Sequence, residues 1–171
     1  MDEGGAHQPA LTERRSARVI LVDRTDRVLL FSAAAPLSNG APRVIWVVPG
    51  GGVECDEGLV AAAARELHEE TGLRVPPEQL RGPVALTRGA KSFQGVDYWA
   101  EEAFFFLRVS EWAVSAAGFT PLERELLTGH RWWSVDELVS TEELVFPRGL
   151  APLLARLLVG DYPRQPVELP W

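Results

Sequence analysis

Apolar and polar positions along the chain fall into short alternating runs and one long periodic run, and these predict its elements. From residue 15, RRSARVILVDRTDRVLLFSA reads as two β-strands around a turn at Arg24-Thr25-Asp26, since β-branched runs flank a polar break. The loop APLSNGAP (35–42) leads to a third strand, RVIWVV. Residues 58–71 carry a helical period, and Gly72 stands where a helix-ending glycine belongs. Beyond Pro76-Pro77, strands are predicted at about 83–93 and 98–109, the second (YWAEEAFFFLRV) aromatic enough to lie near the core. Residues 110–129 read as a long connection, and connections of that length are more often functional than idle. HRWW reads as a strand and SVDEL as a short helix with Ser134 as its N-cap; PRGLAPLLARLLVG is an amphipathic helix opening near Pro147. Residues 1–13 read as a disordered tail, 14–160 as one domain and 161–171 as a C-terminal tail. The mixture predicts an α/β (α+β) fold.

Composition narrows the functional classes. A length of 171 residues suits one core-bearing domain, and 46% hydrophobic with 24% charged residues is ordinary for a globular chain. Cys55 is the sole cysteine, which excludes an internal disulfide and a cysteine-based zinc cluster. Histidines at 7, 68 and 130 are too scattered to suggest a His-rich metal site. MDEGGAHQPA lacks the basic and apolar regions of a signal peptide, and no apolar run is long enough to span a bilayer; the expected location is cytoplasmic, with no membrane partner. A net charge of −7 disfavours polymeric nucleic acid, whose phosphates call for a basic surface, and leaves small anionic ligands that arrive with a cation.

The chemistry concentrates in PGGGVECDEGLVAAAARELHEETGL (49–73). At about 100° per residue, Val60, Ala63, Ala64, Leu67 and Thr71 form the expected buried stripe, and Glu66, Glu69 and Glu70, spaced i, i+3 and i+4, are expected to share the opposite, outward side. Like charges at that spacing cost roughly 0.2–0.5 kcal/mol per pair. Arg65 offsets part of this through Glu69 at i+4, and a hard divalent cation would offset far more. Gly50, Gly51 and Gly52 read as a loop whose backbone can approach an anion or lend a carbonyl to a cation. A dinucleotide-binding GxGxxG fails at Cys55, and no Gly-Lys-Ser/Thr follows for a P-loop.

Gly51, Glu57 and Arg65-Glu66-Leu67-His68-Glu69-Glu70-Thr71-Gly72-Leu73 fill every fixed position of a pattern that resembles the Nudix box, GX5EX7REUXEEXGU. The preceding Trp46-x-x-Pro49-Gly50-Gly51 resembles what often leads into it. The resemblance implies a Nudix fold, an α/β/α sandwich around a mixed β-sheet, over roughly 15–150. It implies Mg²⁺- or Mn²⁺-dependent hydrolysis of a nucleoside diphosphate linked to another group. Carried over by position, Glu66 and Glu70 resemble direct metal ligands, Glu69 a direct or water-mediated one, and the Gly50 carbonyl a further one. Arg65 and Glu57 resemble the pair that orients the catalytic helix. A general base outside the box is implied; Glu123 in the long connection is preferred over Glu125, Glu101 and Glu102. Homodimers are frequent in the family, and the oligomeric state stays open.

Weaker signals get plainer readings. His68 and Cys55 read as structural or bystanders, Phe104–Phe106 as core, and Arg88 and Lys91 as solvated strand positions; Trp132 and Trp133 should face opposite ways. Two other functions remain on the same scaffold. A non-catalytic nucleotide sensor would usually lack some box carboxylates, all present here. Isoprenoid diphosphate isomerisation would need a cysteine outside the box.

Overall fold

The computed structural model describes residues 11–36, 42–93, 95–119 and 121–170. Nine strands, β1 (Thr12–Val22), β2 (Val28–Pro36), β3 (Pro42–Val47), β4 (Gly50–Gly52), β5 (Arg81–Phe93), β6 (Val96–Arg108), β7 (Leu127–Trp133), β8 (Leu144–Phe146) and β9 (Val167–Glu168), form one mixed sheet. Its order is β8-β3-β2-β1-β6-β5-β9, with β4 added to β1 and β7 to β2. The helices are α1 (Leu59–Thr71), α2 (Pro121–Leu126), α3 (Val135–Ser140) and α4 (Leu150–Leu158).

Strand alternation gives the sheet two apolar faces. Val19, Leu21, Leu29, Phe31, Ala103 and Phe105 pack with α1 through Ala62, Ala63 and Leu67. Ile20, Val22, Leu30, Phe104, Phe106 and Trp133 pack with Leu138 of α3 and Leu150, Leu153, Leu154 and Leu157 of α4. Helices on both faces of a mixed sheet make the α/β/α sandwich the sequence implied. β6 is buried on both sides, which is why it reads as an unbroken apolar run rather than an alternating one.

One topological detail shapes the site. β1 and β2 are sequential, yet they pair only at Val22 and Val28. Beyond that point β1 takes β4 as its partner, Ser16–Gly52, Ala17–Gly51 and Arg18–Gly50, while β2 continues with β3 and β7. The sheet therefore splays there, and the chain returns through β4 straight into the turn that starts α1.

Several expectations change. Gly50–Gly52 is a strand, because its backbone completes the hydrogen bonds that β1 no longer gives to β2. Residues 110–129 are not one long loop: a 3₁₀ turn at Ala116–Gly118, α2 and the start of β7 lie within them, so Glu123 sits on a helix, and its side chain falls outside the described part. Thr12 and Glu13, read as tail, pair with Tyr98 and Trp99 in β1–β6; residues 1–10 lie outside the described residues. Within 161–171, β9 pairs in parallel with Ala85 and Leu86 of β5. Ser134 caps α3 as expected, accepting from the Glu137 amide while the Glu137 carboxylate accepts from the Ser134 amide.

Candidate functional site

The site grows from the contact between α1 and β4. Three small side chains, Ala62, Ala63 and Ala64, bring the helix close to the sheet. At that distance the Gly50 amide donates to Glu70 Oε2 at 2.6 Å. A Cβ on Gly51 would lie 2.6 Å from Glu66 Oε2, so the Glu66 carboxylate rests directly on the glycine backbone. Glu66 and Glu70 are only 6% and 5% exposed. The expected outward face is thus wrong for these two. Helical geometry puts Glu70 about 20° from Ala63, at the border of the buried stripe, and β4 covers that border. Glu69 alone of the three is partly exposed, at 36% of its side chain.

Arg65 gathers the carboxylates. Its Nε and Nη2 hold Glu57 Oε1 and Oε2 at 3.0 and 2.8 Å in a bidentate pair. Nη1 reaches Glu66 Oε1 at 2.7 Å and Glu69 Oε2 at 3.4 Å, and Nη2 also donates to the Gly52 carbonyl at 2.9 Å. The hydrogen bond from Arg65 holds Glu57 below the usual carboxylate range, and Glu57 and Glu66 in turn stabilise the charged guanidinium against its partial burial. The expected Arg65–Glu69 pair is present, but Glu57, eight residues earlier, is the tighter partner.

The C-terminal end of α1 is closed from outside. Gly72, at φ 76°, turns the chain and donates its amide to the His68 carbonyl at 2.8 Å. The Thr71 carbonyl accepts from Trp112 Nε1 at 2.9 Å and from the Ser115 amide at 3.0 Å. Gly118 lies so close to the Glu69 carbonyl that a Cβ there would stand 2.3 Å from it. This brings the chain segment leading into α2 down onto the acidic helix.

The remaining candidates separate. Glu102 is buried, and its Oε1 accepts from Arg18 Nε and Nη2 and from Lys91 Nζ, all at 3.2 Å; Thr87 Oγ1 is 3.4 Å from Oε2. Burial pushes its carboxyl up, but the adjacent Arg18 and Lys91 outweigh this and hold it below the usual range. Lys91, read as solvated, is partly buried and its ammonium is disfavoured by desolvation. Glu101 points to the other face and accepts from Arg88 Nε at 2.8 Å. Glu125 is exposed on α2. Cys55 is exposed, Phe104–Phe106 are core, and Trp133 is buried against Trp46 while Trp132 packs towards the opposite cluster.

Sequence reasoning missed Arg18. Its Nη1 donates to the Gly50 carbonyl at 3.0 Å and to the Val48 carbonyl at 3.2 Å. A signal existed: alternation through RVILV puts Arg18 on the inward face with Ile20 and Val22, and the same rule puts Glu102 with Phe104 and Phe106.

Among the described residues no three His, Cys, Asp or Glu side chains form a cage for an ion on their own. Glu66, Glu69 and Glu70 nonetheless bring carboxylate oxygens to one end of α1, and Mg²⁺ needs only one or two of these when water and phosphate complete its shell. The Gly50 carbonyl has a second lone pair beside the one facing Arg18. The residues fit such an ion as an open site. A cleft of about 280 Å³ between α3, β8 and the start of α4, lined by Leu138, Val145, Arg148 and Leu150 among others, contains none of the α1 carboxylates.

Comparison with known proteins identifies the family. The family model described as the NUDIX domain matches residues 12–157. Over 61 residues the chain is 43% identical to the m7GpppN-mRNA hydrolase NUDT17 of Danio rerio, covering 36% of this chain and 20% of that protein. Over 36 residues it is 53% identical to the phosphatase NudJ of Escherichia coli O1:K1 / APEC, covering 21% of this chain and 24% of that one. The matched stretches thus span a fifth to a quarter of these curated relatives. Among solved structures, the MutT NUDIX hydrolase from Burkholderia pseudomallei superposes with a TM-score of 0.59 at 20% identity, covering 85% of this chain and 98% of that one. The NUDIX domain of Shewanella oneidensis NrtR, complexed with ADP ribose, does so with 0.61 at 17%, covering 92% and 94%. At such identities these structures speak for the fold alone. The family match runs from β1 into α4 and encloses the whole arrangement of β4, α1 and Arg65, and on that ground the chain belongs to the Nudix family.

Proposed function

We propose that the chain hydrolyses the phosphoanhydride of a nucleoside diphosphate linked to another group, using Mg²⁺ or Mn²⁺. The observation that carries this reading is the burial of Glu66 and Glu70 against the β4 backbone, where Arg65 and the Gly50 amide hold charges that would otherwise repel one another. Holding like charges together costs stability, and a site that binds a divalent cation recovers it. Glu66, Glu69, Glu70 and the Gly50 carbonyl are the proposed ligands. When bound, the cation supplies positive charge to the diphosphate and Lewis acidity at phosphorus.

The chain's own residues do the rest. Glu57 fixes Arg65, and Arg65 fixes the orientation of Glu66 and Glu69 along α1. Glu123, at the end of the segment that Gly118 presses onto α1, is the proposed general base. Water attacks a phosphorus, its proton goes to the base, and the bridging oxygen leaves with its electron pair. One product is a nucleoside monophosphate and the other keeps the second phosphate. Charge stabilisation and alignment supply most of the acceleration. The net charge of −7 favours a small nucleotide over a long nucleic acid, and a cytoplasmic location belongs to the same reading. Among the described residues no helix is long and apolar enough to cross a membrane.

The test is a panel of nucleoside diphosphate derivatives with Mg²⁺ and Mn²⁺, alongside Glu70→Gln. Saturating Mg²⁺ at a hundredfold over its Kd should stabilise the wild type by about 2.7 kcal/mol, roughly 5–10 °C in Tm. Glu70→Gln should lose most turnover and most of that shift while keeping its fold. Wild-type kcat in Glu70→Gln would remove the assignment. Metal-independent ligand binding without turnover in the wild type would favour a sensing module instead.

A further inference from the structure

Arg18 stands where β1 meets β4, directly opposite Gly50. Its guanidinium sits in a polar cluster with Glu102, Lys91 and Thr87, and only 21% of the side chain reaches solvent. Three acceptors surround it: the Val48 carbonyl, the Gly50 carbonyl and Glu102 Oε1. Glu102 is itself pinned by Lys91 and Thr87 from β5. A chain of fixed contacts thus runs from β5 to β6, from β6 to β1, and from β1 to the carbonyls at the entry to β4. At Gly50 the same strand turns its amide towards Glu70, and at Gly51 it supports Glu66.

We propose that Arg18 is a positioning residue for the hydrolysis: through the Val48 and Gly50 carbonyls it sets the placement of β4, and through β4 the placement of the Glu66 and Glu70 carboxylates. The inference rests on the reading of those carboxylates as the reaction centre. A planar fork suits the task, because it addresses two main-chain carbonyls and a carboxylate at once, which a lysine ammonium on a single stem matches only in part. Arg18 also interacts electrostatically with the acidic helix. Burial disfavours its charge, and attraction to Glu102, then Glu70 and Glu66, more than restores it. The residue therefore links main-chain geometry to the charge of the cluster that geometry holds.

The experiment uses the full chain with Arg18→Met, Arg18→Lys, Glu102→Gln and the Arg18→Met/Glu102→Gln double variant. It reads kcat and KM separately on a substrate the wild type turns over, and the Gly50 amide resonance in ¹⁵N-glycine-labelled protein without metal or substrate. Arg18→Met should lower kcat about 10- to 100-fold, since a displaced catalytic group costs on that order, and leave KM within about threefold. Its Gly50 amide resonance should move. Arg18→Lys should recover part of the loss. Glu102→Gln should show a smaller loss of the same kind and add little to Arg18→Met, because the two residues act as one unit.

A folded Arg18→Met with wild-type kcat overturns the proposal. So does a loss confined to KM, which would mark a substrate contact, and so do fully additive losses in the double variant. Should Arg18→Met fail to fold, wild-type kcat in both Arg18→Lys and Glu102→Gln overturns it equally, and a lowered kcat in both supports it. Should the wild type hydrolyse no diphosphate, the reading of function fails on its own, and the Gly50 resonance decides the positioning: unmoved in Arg18→Met or Arg18→Lys, it refutes the link from Arg18 to β4.

Discussion

Alanine at each of the three β4 glycines perturbs a different thing within a span of three residues. At Gly50, φ is 133°, a conformation L-residues avoid, and a Cβ would lie 2.3 Å from the Ala17 carbonyl oxygen and 2.5 Å from Arg18 Cα. Both obstacles are backbone and cannot swing away. Backbone strain of about 1–3 kcal/mol and overpacking of about 1–3 kcal/mol together predict a loss of about 2–6 kcal/mol, roughly 5–20 °C in Tm for a domain of this size. At Gly51 the Cβ meets only the Glu66 carboxylate, at 2.6–2.8 Å. That group is the end of a side chain and can retreat, by about 0.8 Å to reach ordinary contact. The retreat weakens its 2.7 Å bond to Arg65. A charged hydrogen bond worth about 1.5–3 kcal/mol, offset by about 0.4–1 kcal/mol of chain entropy gained on replacing glycine, leaves a net loss of about 0.5–2.6 kcal/mol. A shift of that size in a carboxylate proposed as a metal ligand should cost about a hundredfold in kcat. At Gly52 no atom stands within 4 Å, so alanine should raise stability by about 0.4–1 kcal/mol. Scanning calorimetry and steady-state kinetics on the three variants read both axes. The reasoning is refuted if Gly51→Ala melts as low as Gly50→Ala while keeping wild-type kcat.

Two other outcomes test separate parts of the structure. Asp23 accepts from the Thr25 amide and hydroxyl and from the Arg27 amide and Nε; burial pushes its carboxyl up, but these bonds win and hold it below the usual range. A depressed folded pKa gives stability that is fully present above the unfolded value near 3.9 and is lost as pH falls through the lower folded value. The stability gap between wild type and Asp23→Asn should therefore narrow below about pH 4; a gap constant from about pH 7 to 2.5 in urea melts would contradict it. Gly118→Ala should lift its segment from α1, costing about 1–3 kcal/mol and shifting Trp112 fluorescence, since a Cβ would stand 2.3 Å from the Glu69 carbonyl. An unchanged melt and spectrum would show that the segment does not press on the helix.

Much of this was legible from residue order alone. Spacing along one helix located α1 and Gly72, and the resemblance to the Nudix box implied the Arg65–Glu57 pair. The strand-like runs located β1, β2, β3, β5, β6 and β7 for the same local reason. Contacts between distant segments were not legible. Arg18 and Glu102 lie 84 residues apart and meet only because β1 and β6 run parallel in one register. Glu66 and Glu70 were misread as outward-facing because helical periodicity records the face towards the sheet and is blind to a glycine strand laid along its border. β8 and β9 are too short to carry a period, and only their pairing with Ile45–Val47 and with Ala85–Leu86 defines them.

The bond from the Gly50 amide to Glu70 is unevenly vulnerable to substitution. A hydrogen donated by the main chain cannot be deleted by exchanging a side chain, short of introducing proline. The acceptor is a side chain, so exchange at position 70 removes the anchor, while exchanges elsewhere around α1 leave its donor in place.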